Sequence, residues 1–152
     1  LRQPYTRDPF PPSDYVLPFG RGDIRRAGRD VTIVTWGATV EKSLQAAQRL
    51  HEERDCQVEV IDLRTIAPWD RELVGESVRR THRLVVVHED VLTAGFGAEV
   101  AAWAAQEVWS DLEAPIRRVT AIDTHVAYEP TLEKAILPQV DDIVAALAAT
   151  LP

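Results

Sequence analysis

The sequence predicts an α/β fold, a three-layer, mostly parallel sheet with helices on both faces and an antiparallel strand able to join one edge. Three observations carry this. Short β-branched apolar runs recur along the chain as VTIVTW (31–36), VEVIDL (58–63), RLVVVH (83–88) and IRRVTAI (116–122). Between them lie stretches whose apolar residues fall at helical spacing. Runs as apolar as VVV suit strands covered on both faces, and helical connections of this length suit right-handed crossovers between parallel neighbours.

The first thirty residues concentrate Pro4, Pro9, Pro11, Pro12 and Pro18 with Gly20, Gly22 and Gly28, and proline opposes both helix continuation and ladder hydrogen bonding. Residues 1–29 therefore read as a linker, and a domain follows over 30–152. The end of the linker, GDIRRAGRDVTIV, reads as a short hairpin turning near Ala27 to Asp30, which would add an antiparallel edge to whatever sheet follows. From Thr39 to Arg54, Val40, Leu44, Ala47 and Leu50 share one helical face. Asp70 is an N-cap for a helix running to about Arg80, because its carboxylate can accept an otherwise orphaned backbone N–H. Phe96, Val100, Trp103, Ala104 and Val108 mark a further helix, and a last one runs from about Asp141 to Leu151. In sheets of this kind, ligands and partners meet the crevice beyond the carboxyl ends of the strands. Those ends are Trp36 with Gly37, Arg64 with Thr65, His88 with Glu89, and Asp123 with Thr124.

Composition narrows the function. A chain of 152 residues suits one domain, which at that size buries roughly 68–70% of its unfolded surface. No apolar run approaches the ~20 residues of a membrane helix, so no membrane partner is expected. The net charge of -7 argues against nucleic acid, whose phosphates need clustered lysine and arginine, and favours a basic partner. Cys56 is alone and cannot make an internal disulfide, which points to a reducing, intracellular compartment. The sequence lacks methionine and opens on Leu1 with its proline-rich lead, so a fragment or processed chain is expected, and no signal peptide is visible.

The stretch VVVHEDVLTAGFGAEVAAWAA (85–105) gathers the chemical candidates. In extended chain, neighbouring side chains point to opposite faces, so His88, Glu89 and Asp90 cannot converge on one metal or proton. A His88 that closes the strand, with the carboxylates bonding backbone or an arginine, is the plainer reading. Gly95, Phe96 and Gly97 suggest a phosphate turn before a helix. The third glycine of that pattern is missing, however, and Glu89, Asp90 and Glu99 would repel an anion. The glycines then serve to bring the helix close against the sheet or another subunit. Ser13, Ser43, Ser77 and Ser110 lie in no nucleophile elbow, and His51, His82 and His125 have no metal-ligand spacing. No catalytic, cofactor-binding or metal-binding residue is expected in this domain. Four tryptophans, at 36, 69, 103 and 109, are core or interface anchors. Trp69, following Pro68 in a turn, is expected at an interface because burying it inside one small domain is harder.

Four blocks, VTIVTWGATVEKSLQAA, CQVEVIDLRTIAPWD, RLVVVHEDVLTAGFGAEVAA and LEAPIRRVTAIDTHVAYEP, resemble the C-terminal domain of the β subunit of 2-oxo acid dehydrogenase decarboxylating components, the transketolase C-terminal type. Their order and spacing agree over roughly Asp30 to Leu151. VEVIDLRTIAPWD most resembles the branched-chain, 2-oxoisovalerate enzymes, and pyruvate and acetoin dehydrogenase β subunits are similar. The resemblance implies a heterotetramer of two α and two β subunits, using thiamine diphosphate and magnesium to decarboxylate a 2-oxo acid and acylate the lipoyl group of an acyltransferase. It places that cofactor between the α subunit and the preceding β domain, outside this chain. It also implies that this domain packs β against β, with Arg64, Trp69, His88, Glu89, Gly95, Phe96 and Gly97 at or near the subunit contact. Arg64 is expected to pair with Glu89 or Asp90. Glu113, Asp141, Asp142 and Leu151 are implied as the docking site for the acyltransferase's small basic subunit-binding domain. The location implied is bacterial cytoplasm or mitochondrial matrix. A transketolase or deoxyxylulose phosphate synthase domain is the nearest alternative, and a freestanding nucleotide-binding domain a more distant one. Two places depart from the family pattern: Thr93-Ala94-Gly95-Phe96 where Thr-Gly-Gly-Phe is usual, and Asp123-Thr124-His125 where Asp-Thr-Pro is usual.

Overall fold

A computed structural model describes residue 12 and residues 14–152; the linker expected over residues 1–11 and 13 lies outside them. Five strands form one sheet in the order β1-β3-β2-β4-β5. They are β1 (Asp23–Arg26), β2 (Val31–Thr35), β3 (Val58–Asp62), β4 (Leu84–Val91) and β5 (Arg117–Ala121). β2 lies parallel between β3 and β4, and β5 extends the parallel set beyond β4. Every residue of β2 is buried, as its unbroken apolar pattern requires of a strand covered on both sides.

Helices α1 (Thr39–Arg54) and α5 (Val140–Ala148) cover one face of the sheet. Leu50, Ile143 and Leu147 meet the strand residues Ile33, Val60 and Val87 there. Helices α2 (Arg71–Thr81) and α3 (Phe96–Glu107) cover the other, packing Val78, Val100 and Ala104 against Val34, Ile61 and Val86. Even and odd strand positions thus feed two separate cores, the period-two alternation of an extended chain. The expected three-layer α/β architecture is the observed one. Asp70 caps α2 as expected, its carboxylate accepting from the Leu73 N–H at 3.1 Å. The seven-residue helix α4 (Pro130–Ile136) was not expected from the sequence; Pro130 sits in its first turn and Glu129 caps it.

The expected hairpin does not form. β1 pairs antiparallel with β3, Asp23 facing Asp62 and Ile24 facing Ile61. The reason is that β2 already has β3 on one side and β4 on the other. The chain leaves β1 and crosses the start of β3 to reach β2, where the Arg29 and Asp30 N–H groups both donate to the Gln57 carbonyl, at 2.9 and 3.0 Å. Gly28 makes this crossing feasible, since a Cβ there would lie 2.2 Å from the Glu59 backbone nitrogen. Beneath it, the buried Glu59 carboxylate accepts from the Ser77 hydroxyl at 2.5 Å and from Arg80. A buried carboxylate needs such donors to offset its lost hydration.

Candidate functional site

The strand order reverses between β2 and β4: β2 leads through α1 to β3 on one side, and the chain then passes back to β4 on the other. Sheets of this type hold ligands at that reversal. Here it is filled by the protein's own side chains. Trp36, immediately after β2, stacks on His88 of β4 with ring centroids 5.0 Å apart and planes 8° from parallel, and Phe96 packs edge-on against Trp36 at 5.5 Å. His88 is fully buried and neither ring nitrogen has a hydrogen-bond partner. Burial holds its pKa below the ordinary value of 6.5; Asp90 opposes that shift and Arg118 adds to it.

The glycine turn closes over this ring. A Cβ on Gly97 would stand 2.1 Å from His88 Nε2, and one on Gly95 would stand 2.1 Å from the Val91 carbonyl oxygen. The first turn of α3 therefore rests directly on the imidazole, and the space that a diphosphate would need under a glycine turn is taken by His88. Among the described residues, no group of three or more His, Cys, Asp and Glu side chains could hold a metal ion. The filled turn at Gly95 to Gly97 does not fit the diphosphate of thiamine diphosphate or of a dinucleotide.

His88, Glu89 and Asp90 do continue the strand, which runs on to Val91, so they do not converge. Arg64 does not pair with Glu89 or Asp90. It leaves β3 with β2 between it and β4, and its guanidinium reaches Asp23 of β1 at 2.8 Å. Trp69 is only 7% exposed within the domain, packed edge-on against Trp103 at 4.9 Å. The turn folds it inward between α2 and α3, which the sequence argument from its position after Pro68 did not foresee. His88, Gly95 and Gly97 are likewise buried within the domain, which leaves Glu89 and Phe96 partly accessible at this rim. The two segments that depart from the family pattern are joined by residues that keep it: the Asp123 carboxylate accepts from the Thr93 N–H at 2.8 Å and its hydroxyl at 2.6 Å. The Thr93 hydroxyl, more than any other group, holds the Asp123 carboxyl below the usual carboxylate range.

At the amino ends of the strands, Glu113 is exposed and paired with Arg83 at 2.7 Å. Arg83 also donates to the Thr150 carbonyl at 2.9 Å, directly before Leu151. Glu113 and Leu151 are thereby brought together. Asp141 and Asp142 are not with them. They open α5, Asp141 bonded to Arg49 at 2.5 Å and Asp142 accepting the Gln139 N–H at 2.8 Å. The nine residues of α5 put about 13 Å between its ends at 1.5 Å per residue, so the acidic pair stands one helix length from the corner that holds Glu113 and Leu151. Arg83 was missed by the sequence reading; its only signal was a lone cation before an apolar strand.

These features define a class: a doubly covered α/β domain, mostly parallel, whose strand-end crevice is plugged by its own aromatic and imidazole rings. The chain belongs to the family described as transketolase, C-terminal domain, whose pattern matches residues 20–143. Its relatives include the pyruvate dehydrogenase E1 component subunit β-1, mitochondrial, of Arabidopsis thaliana, 44% identical over 88% of this chain and 37% of that protein. The 2-oxoisovalerate dehydrogenase subunit β of Bacillus subtilis is 39% identical over 90% of this chain and 42% of that protein. A solved structure described as a split gene transketolase, inactive β4 tetramer, has a TM-score of 0.78 and 32% identity, covering 93% of this chain and 44% of that one. The chain thus spans about two fifths of the length of these relatives.

Proposed function

We propose that this chain is the C-terminal domain of the β subunit of a thiamine-diphosphate-dependent 2-oxo acid dehydrogenase, performing assembly and docking while the chemistry occurs elsewhere in the complex. It packs against a second β subunit and an α subunit and receives the basic subunit-binding domain of the lipoyl acyltransferase. Thiamine diphosphate and magnesium belong to the whole enzyme, which works in bacterial cytoplasm or mitochondrial matrix. The observation that carries this reading is the plugged crevice at the strand reversal, in a chain whose relatives are named as β subunits of such enzymes. The rings of Trp36, His88 and Phe96 occupy the strand reversal, which supports an assembly role, and the net charge of -7 suits a basic partner.

The block VEVIDLRTIAPWD favours a branched-chain 2-oxo acid. Pyruvate is the second reading, favoured by the 44% identity to a pyruvate dehydrogenase subunit. Co-expression of the full-length protein with its α subunit tests both: the assembled enzyme is expected to decarboxylate 2-oxoisovalerate or pyruvate only with thiamine diphosphate and magnesium. The ratio of the two rates assigns the substrate. Calorimetry on residues 20–152 with thiamine diphosphate, NAD and ATP is expected to give no binding heat. Tight binding of any of the three by this piece would overturn the reading.

A further inference from the structure

Arg83 lies between α2 and β4 with a side chain only 19% exposed, and its donors are divided among three separate segments. Nε donates to the Thr150 carbonyl at 2.9 Å, Nη1 to the Asp30 carbonyl at 3.4 Å and Nη2 to Glu113 Oε2 at 2.7 Å. A planar guanidinium can serve three acceptors in fixed directions, which the point charge of a lysine cannot. The groups it holds are themselves anchored. The Thr150 N–H and hydroxyl both donate to the Leu147 carbonyl, at 3.0 and 2.7 Å. The Glu113 N–H donates to the His82 carbonyl at 2.9 Å. The guanidinium therefore fixes the direction in which Leu151 and Pro152 leave the last helix, and sets the Glu113 carboxylate beside them.

We propose that Arg83 is the positioning residue of the acyltransferase-docking surface, presenting Glu113 and the end of α5 to a basic protein domain as one prearranged unit. This deepens the docking reading and rests on it. The Arg83 pair does not consume Glu113, because a carboxylate accepts about four hydrogen bonds, and the side chain remains 57% exposed for a lysine or arginine of the partner. Charge and geometry then predict opposite signs. Arg83 is a cation facing a basic partner, so by Coulomb repulsion alone its removal tightens binding. If it positions the acceptors, its removal loosens binding, and the loss falls on the dissociation rate.

The test measures binding of the isolated basic subunit-binding domain to the full-length β subunit assembled with its α subunit, by surface plasmon resonance. Arg83→Gln is expected to weaken binding about tenfold through faster dissociation, and Glu113→Gln by a similar factor. The double variant is expected to bind no more weakly than the weaker single one, since both remove the same prearranged contact. If Glu113→Gln changes nothing, the docking reading at this corner fails and the proposal falls with it. Should Glu113→Gln weaken binding while Arg83→Gln tightens it, leaves it unchanged or adds independently, the positioning role alone is overturned. Arg83→Lys keeps the charge and is the variant to use if Arg83→Gln does not fold. It is expected to bind about threefold more weakly, and wild-type affinity from it would overturn the proposal.

Discussion

His88 is the residue with the most unusual setting. Its ring is fully buried against Trp36 and under Gly97, and neither nitrogen finds a partner. An unmade hydrogen bond at such a site costs about 1–3 kcal/mol, and charging the ring there costs more. Burial, above all, lowers the folded pKa below 6.5, with Arg118 of β5 adding and Asp90 of its own strand opposing. The unfolded chain then binds more protons than the folded one as pH falls below 6.5, so stability is complete above that value and declines beneath it. Chemical denaturation at pH 7.5 and 5.5 is expected to show this loss, and His88→Leu is expected to flatten it. An equal loss in both proteins would refute the assignment. Ala94 is a second residue of this kind: it holds φ at 62° where the family usually has glycine. A left-handed conformation costs an L-residue about 1–2 kcal/mol, against about 0.4–1 kcal/mol for the extra freedom glycine gives the unfolded chain. Ala94→Gly is expected to raise stability by roughly 0.5–1 kcal/mol in a urea titration.

Single elements show where sequence patterns suffice and where they stop. The four parallel strands β2 to β5 and the helices α1, α2, α3 and α5 were legible because each buries a face, and burial leaves its period in the sequence. β1 was legible as an antiparallel edge, but its neighbour was not. Pairing with β3 follows from which strands have free edges once the parallel core is built, which no local pattern encodes. The same missing knowledge misplaced Arg64, whose partner Asp23 lies on β1. That ion pair fastens the edge strand to the turn after β3. Its two side chains are 23% and 36% exposed, so its worth is about 0.5–1 kcal/mol. Arg64→Ala is therefore expected to lower global stability by no more than that, while amide exchange at Asp23 to Arg26 speeds up. Unchanged exchange there would show that the backbone ladder alone holds the edge.

At the scale of the whole molecule, the net charge of -7 favours a basic partner over an acidic one without placing it. The acidic residues named from the resemblance separate in the fold, Glu113 beside the chain end and Asp141 and Asp142 at the far end of α5. The latter two are committed to Arg49 and to the helix cap. Long-range attraction sums over all of them regardless of place, whereas the short-range contact uses only the groups that touch. Association and dissociation of a basic partner should therefore respond differently to salt. Exposed charges more than about 10 Å apart are screened at 0.1 M salt. The association rate to the assembled enzyme is then expected to fall about tenfold between 0.05 and 0.5 M salt, with dissociation changing far less. Asp141→Asn combined with Asp142→Asn is expected to reduce the association rate modestly and leave dissociation unaltered. A large increase in dissociation from that pair would move the contact to the other end of α5, where the fold places neither Glu113 nor the end of the chain.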